Sequence, residues 1–129
     1  MNITIQNEFA SVTCRTLGAE LLSYKTAAGK EYMWQKDPAY WAKTSPVLFP
    51  YIGAVPETVT IPRHGFVKDA EFEVAEKGDD YVILSTGTND YTTSVYPYDF
   101  RFTVTFRLEQ AKLVVTYGVE NKGDKEMPF

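Results

Sequence analysis

A chain of 129 residues, 44% apolar and 23% charged, has room for one domain (residues 1–129) with a continuous core and the make-up of a globular protein in water. Its net charge of −4 argues against electrostatic nucleic-acid binding, and a single cysteine, Cys14, rules out an intrachain disulfide and a thiolate zinc site. No apolar run approaches bilayer length, and the N-terminus lacks the basic flank and apolar segment of a signal peptide, so the expected setting is the cytoplasm, with no membrane partner.

Residues 2–6 alternate apolar and polar, as do residues 9–17, where Ala10, Val12 and Cys14 share a face until Gly18 interrupts. Residues 20–26 and 31–35 read as two further strands across a turn at Ala27-Ala28-Gly29-Lys30, so the first thirty-five residues predict a β-meander. Asp37-Pro38-Ala39-Tyr40-Trp41 has the cap and early proline of one helical turn. Pro46, Pro50 and Pro56 then forbid a regular central strand, yet Val47, Leu48, Phe49, Tyr51 and Ile52 are too apolar for disorder, which predicts a packed loop. Residues 71–77 and 81–86 form the next expected hairpin, across Gly78-Asp79-Asp80.

The last two strands carry the clearest periodicity. Phe100, Phe102, Val104, Phe106 and Leu108 fall on one face, and Leu113, Val115, Tyr117 and Val119 repeat the pattern after Gln110-Ala111. Asn121-Lys122-Gly123-Asp124 reads as a turn, with residues 126–129 opening another strand. Short strands, glycine turns and almost no helix predict an all-β antiparallel sandwich.

The chemistry centres on Ile61-Pro62-Arg63-His64-Gly65-Phe66-Val67-Lys68-Asp69, which holds the sole histidine. An imidazole is the side chain that titrates unperturbed near neutral pH, so His64 is the first catalytic candidate, with Glu57 and Asp69 as candidate partners. Tyr32, Trp34, Tyr40 and Trp41 form an aromatic group that suits either core packing or a platform for the apolar face of a sugar. Phosphate-cradling glycine loops and nucleophile elbows are absent.

Taken in order, Gly18-Ala19-Glu20-Leu21-Leu22-Ser23, Tyr32-Met33-Trp34-Gln35, Trp41 through Pro50, His64-Gly65-Phe66, Tyr96-Pro97-Tyr98-Asp99-Phe100 and Met127-Pro128-Phe129 resemble the aldose 1-epimerases, in particular their LacX-like galactose mutarotase-related branch. The resemblance implies the N-terminal half of a large antiparallel β-supersandwich and an aldose as small-molecule ligand. It implies chemistry without metal or cofactor. A base removes the C1 hydroxyl proton, an acid protonates the ring oxygen, and the opened chain rotates about C1–C2 before reclosing.

By the same resemblance, His64 contacts the sugar near its ring oxygen, and Trp34 and Arg63 are further sugar-binding candidates. The family's second histidine, its usual acid, and its glutamate base lie beyond the matched motifs. The span from Gly53 to His64 is short for the family, and Ala54 stands where relatives often carry arginine, which turns attention to Arg63 as a substitute cation. The expectations are therefore an epimerase-like protein inactive as these 129 residues alone, or alternatively a non-catalytic carbohydrate-binding module. Self-association is also expected, through strand pairing or the Phe100–Leu108 face.

Overall fold

The computed structural model describes residues 1–54 and 60–129. Strands β1 (Asn2–Gln6), β2 (Ala10–Arg15) and β3 (Leu21–Thr26) form an antiparallel sheet in sequence order. Their alternation explains the register. Ile3 pairs with Cys14 and Ile5 with Val12, so that four buried side chains share the inward face. Asn7 closes the first hairpin, its Oδ1 accepting the N–H groups of Phe9 and Ala10 at 2.9 and 3.0 Å. The turn at residues 27–30 is present, with Gly29 at φ +82°.

Strands β4 (Glu73–Lys77), β5 (Tyr81–Gly87), β6 (Phe100–Glu109) and β7 (Lys112–Asn121) form a second antiparallel sheet in the same simple order. β6 and β7 pair over ten positions without a register shift. Val82, Leu84 and the Phe100–Leu108 face join Ile3, Ile5, Val12 and Cys14 in one shared core. The architecture is thus all-β with two antiparallel sheets, as the periodicity predicts.

Three expectations are corrected. Residues 31–35 form no strand beyond a single bridge from Glu31 to Lys25. The Glu31 carboxylate instead accepts the backbone N–H groups of Tyr24, Tyr32 and Met33 at 3.0, 3.0 and 2.8 Å, so it takes donors a ladder would have used. Residues 37–41 make the single capped turn expected there, the Asp37 Oδ1 accepting the Ala39 N–H at 2.9 Å and the Asp37 carbonyl accepting the Trp41 N–H at 2.7 Å. Residues 126–129 are not a strand; Met127 packs on the core and the Pro128 carbonyl accepts the Tyr96 hydroxyl at 2.8 Å. The Phe100–Leu108 face is buried inside the core, which removes it as a surface for self-association.

The one α-helix among the described residues is α1 (Asp90–Val95), which the sequence reading did not anticipate. Asn89 and Thr92 cap it reciprocally, side chain to backbone in both directions. No helix of the described residues is long and apolar enough to cross a membrane.

Candidate functional site

The segment before the histidine is a packed loop only in part. Val47, Phe49 and Pro50 are buried, but Ile52 is 81% exposed. Phe49 is the hub of the aromatic core, with Phe66, Tyr96, Phe100 and Phe102 ring centroids at 6.2, 6.0, 5.5 and 4.9 Å. Its carbonyl accepts the N–H of Phe66 at 3.0 Å and a parallel bridge joins it to Gly65. The loop and the His-Gly-Phe stretch are therefore locked to each other through the backbone.

Gly65 makes that approach feasible. It sits at φ +74°, and a Cβ there would lie 1.8 Å from the Phe49 carbonyl oxygen. His64 itself is at φ +66°, a conformation uncommon outside glycine, held by the bonds on either side. Its N–H donates to the Gly53 carbonyl at 2.8 Å, and the Gly53 N–H donates to His64 Nδ1 at 2.9 Å.

This second bond decides the chemistry of the ring. Nδ1 is an acceptor, so the neutral imidazole carries its proton on Nε2. Nε2 makes no hydrogen bond with any described residue. A half-buried imidazole with one nitrogen anchored and the other left as a donor can polarise an oxygen placed beside it.

Asp69 is not its partner. The Asp69 carboxylate accepts from Lys68 Nζ at 2.8 Å and Lys43 Nζ at 3.4 Å, and the Lys68 hydrogen bond leads the causes that hold its carboxyl below the usual range. It is therefore an anchored anion and a poor base. Lys68 also donates to the Gly65 carbonyl at 2.7 Å, which ties this ion cluster to the histidine turn. Glu57 lies outside the described residues.

Arg63 is exposed and makes no ion pair with any described residue, so its guanidinium can meet a ligand oxygen. Trp34 is 49% exposed, with its indole N–H on the Trp41 carbonyl at 3.1 Å. Tyr32, Tyr40 and Trp41 are exposed too, so the four rings are a surface group and not core residues. No hydrogen bond or ring contact among the described residues links this group to His64.

Glu20 is a participant the sequence reading quoted only within a motif. It is 2% exposed and pairs with Arg15, while its Oε1 accepts the N–H groups of Thr44 and Ser45 at 2.6 and 3.2 Å. Burial pushes its carboxyl up, but the Thr44 N–H, the Arg15 charge and the Ser45 N–H together hold it below its ordinary 4.5. Glu20 thereby fixes the start of the loop that leads to Phe49. No local pattern marks it, because the donors that let the charge be buried lie 24 and 25 residues further along the chain.

Beside the same segment lies a cavity of ≈ 330 Å³, lined by Pro62, Phe66, Asp69, Tyr91 and neighbours; His64 does not line it. Among the described residues no three carboxylate, imidazole or thiol groups are placed to hold a metal ion.

With this geometry in view, comparison with known proteins is informative. The family model for aldose 1-epimerase matches residues 1–129. The chain belongs to the aldose 1-epimerase family. It is 34% identical to the plasmid-encoded protein LacX of Lactococcus lactis subsp. lactis, over all of this chain and 48% of that protein. A galactose mutarotase related enzyme from Lactobacillus acidophilus is 33% identical and superposes with a TM-score of 0.94, over 98% of this chain and 45% of its own. A galactose mutarotase-like protein from Lactobacillus casei ATCC 334 is also 33% identical, with a TM-score of 0.95 over 100% of this chain and 47% of its own. The chain thus spans about half the length of the relatives it matches.

Proposed function

We propose that these residues form the ring-oxygen side of an aldose 1-epimerase site, which interconverts the α and β anomers of an aldohexose or its phosphate. The observation that carries this reading is the Gly53–His64 pairing, which anchors Nδ1 and leaves Nε2–H to donate. Placed on the sugar's ring oxygen, that donor stabilises the charge that develops as the C1–O5 bond breaks. Arg63 is the cation nearest in sequence, and it adds a contact to sugar hydroxyls or to a phosphate. Family membership supports the same assignment.

Anomerisation needs proton transfer at two oxygens, the C1 hydroxyl and the ring oxygen. His64 serves one of them. Asp69 is held by two lysines, so it is unsuited to the other. Purified as 129 residues, the protein is therefore expected to equilibrate α-galactose no faster than buffer, and no faster than its His64→Ala variant, in an NMR exchange or polarimetric assay. A rate well above both would overturn the half-site reading.

The exposed rings of Tyr32, Trp34, Tyr40 and Trp41 favour a second reading, a sugar-binding surface that needs no acid–base pair. Calorimetric titration separates the two. Sugar binding abolished by Trp34→Ala and indifferent to His64→Ala would support the module. A cytoplasmic setting accords with Cys14, a free thiol in the core that burial pushes up to about 11.

A further inference from the structure

We propose that Lys68 is a positioning residue for His64, acting through the backbone of the turn that carries the imidazole. His64 is the third residue of a turn closed by the Gly65 N–H on the Pro62 carbonyl at 2.8 Å. Its φ of +66° has the sign that a type II turn reserves for glycine. A backbone held there persists only when its surroundings over-determine it. The His64 N–H on Gly53 holds one side, and the Phe66 N–H on Phe49 holds the other. Gly65 between them is buried and at φ +74°, and no backbone N–H among the described residues reaches its carbonyl. Lys68 Nζ supplies that bond, at 2.7 Å. Without it a buried carbonyl at the most pliable residue of the turn would have no partner.

Lys68 is a fixed post and not a roaming surface amine. Its backbone lies in the 3₁₀ turn Val67–Asp69, which is docked on the connection between β2 and β3. There the Gly18 N–H donates to the Ala70 carbonyl at 2.7 Å, and a Cβ on Gly18 would fall 2.4 Å from the Lys68 carbonyl oxygen. The Asp69 carboxylate steers the Lys68 ammonium at 2.8 Å, and Lys43 holds that carboxylate in turn at 3.4 Å. Lys43 precedes Thr44 and Ser45, whose N–H groups donate to the buried Glu20. An ammonium has three donors, so one group serves carbonyl and carboxylate together.

The consequence lies at the ring. The Gly53 N–H bond to Nδ1 needs the imidazole presented from a left-handed His64, so Lys68 sets the direction in which Nε2–H points. Its value to a sugar rests on the assignment of His64 proposed above; the positioning is a property of the free protein.

Histidine ¹⁵N spectra and amide exchange of the 129-residue protein test it, with the imidazole neutral and no sugar present. In Lys68→Met the Nδ1 resonance should lose its hydrogen-bond shift. The Gly53 and His64 amides should exchange at least about tenfold faster while those of β6 keep the parent's rates. Lys68→Arg, whose guanidinium can donate to the same two oxygens, should restore the parent's spectrum. Lys68→Met combined with Asp69→Asn removes the carboxylate that the first variant strands, and should look like Lys68→Met. An unmoved Nδ1 resonance, a loss of protection shared equally by β6, a Lys68→Arg no nearer the parent than Lys68→Met, or a parent-like double variant would overturn the proposal. Aldose titration is a separate arm. A parent Nε2 resonance that no aldose moves would overturn the sugar reading alone. One that moves with equal affinity in the parent and in Lys68→Met would overturn the role of Lys68 in the sugar site.

Discussion

Gly65→Ala should destabilise the fold by about 3 kcal/mol or more, near the upper end of what a single methyl group does. Two effects combine. The residue sits at φ +74°, where an L side chain is strained, and the new Cβ would fall 1.8 Å from the Phe49 carbonyl oxygen, 2.3 Å from its carbon and 2.8 Å from the Pro50 nitrogen. Backbone cannot swing aside as a flexible side chain can. The parallel bridge between residues 49 and 65 must open, which pulls Phe49 out of its aromatic nest and frees His64 from Gly53.

Gly29→Ala is the internal control. Gly29 is at φ +82° with nothing within 4 Å, so it carries the conformational cost without the collision, about 1–2 kcal/mol. Urea unfolding of the two variants side by side separates the terms. Equal losses would mean that the Phe49–Gly65 approach is not what holds the site.

Glu20→Ala should cost about 3–5 kcal/mol, because it strands the Arg15 guanidinium beside a buried space and leaves the Thr44 and Ser45 N–H groups without their acceptor. Arg15 Nε already lacks a partner among the described residues, so it has little to fall back on. Glu20→Gln keeps the shape and loses the charge, which should cost less, about 1–2 kcal/mol.

The pair also fixes a pH dependence. A carboxyl whose folded pKa lies below its unfolded value binds fewer protons when folded. Its stabilisation is complete above about 4.5 and fades as pH falls through the folded pKa. Unfolding midpoints measured from pH 7 down to pH 3 should therefore fall less steeply below 4.5 in Glu20→Ala than in the parent. An unchanged slope would show that Glu20 carries no such linkage.

Period-2 alternation made most of the sheet legible in the residues. It placed Ala10, Val12 and Cys14 on one face, and it paired β6 with β7 across Gln110-Ala111, because one-sided burial forces every second residue to be apolar. It failed where side chains compete with the ladder. Residues 31–35 look like a strand until the Glu31 carboxylate takes the local amides, and no periodicity reveals that. α1 was missed because Asp90–Val95 is rich in Thr and Ser, which are poor helix formers, and the capping pair Asn89–Thr92 was its only mark. The aromatic group was ambiguous for a different reason. Tyr32, Trp34, Tyr40 and Trp41 lie in turns, where alternation does not say which side faces solvent.

At the candidate site, His64 stood out because it is alone, but its orientation did not. The partner of Nδ1 is a backbone N–H eleven residues away, invisible to any side-chain motif. Asp69 was a plausible partner by proximity in sequence and lost that role to Lys68 and Lys43, which outcompete an imidazole for a carboxylate.

The sole histidine makes the central claim directly measurable, since a protein labelled with ¹⁵N in histidine gives one pair of ring resonances. For the free protein with its imidazole neutral, the expected result is the Nε2–H tautomer, with Nδ1 shifted by an accepted hydrogen bond. Titration with galactose or glucose should then move the Nε2 resonance while Nδ1 stays in place. An Nδ1–H tautomer, or an Nε2 resonance unmoved by any aldose or aldose phosphate, would contradict the assignment of His64 to the ring-oxygen side of a sugar site.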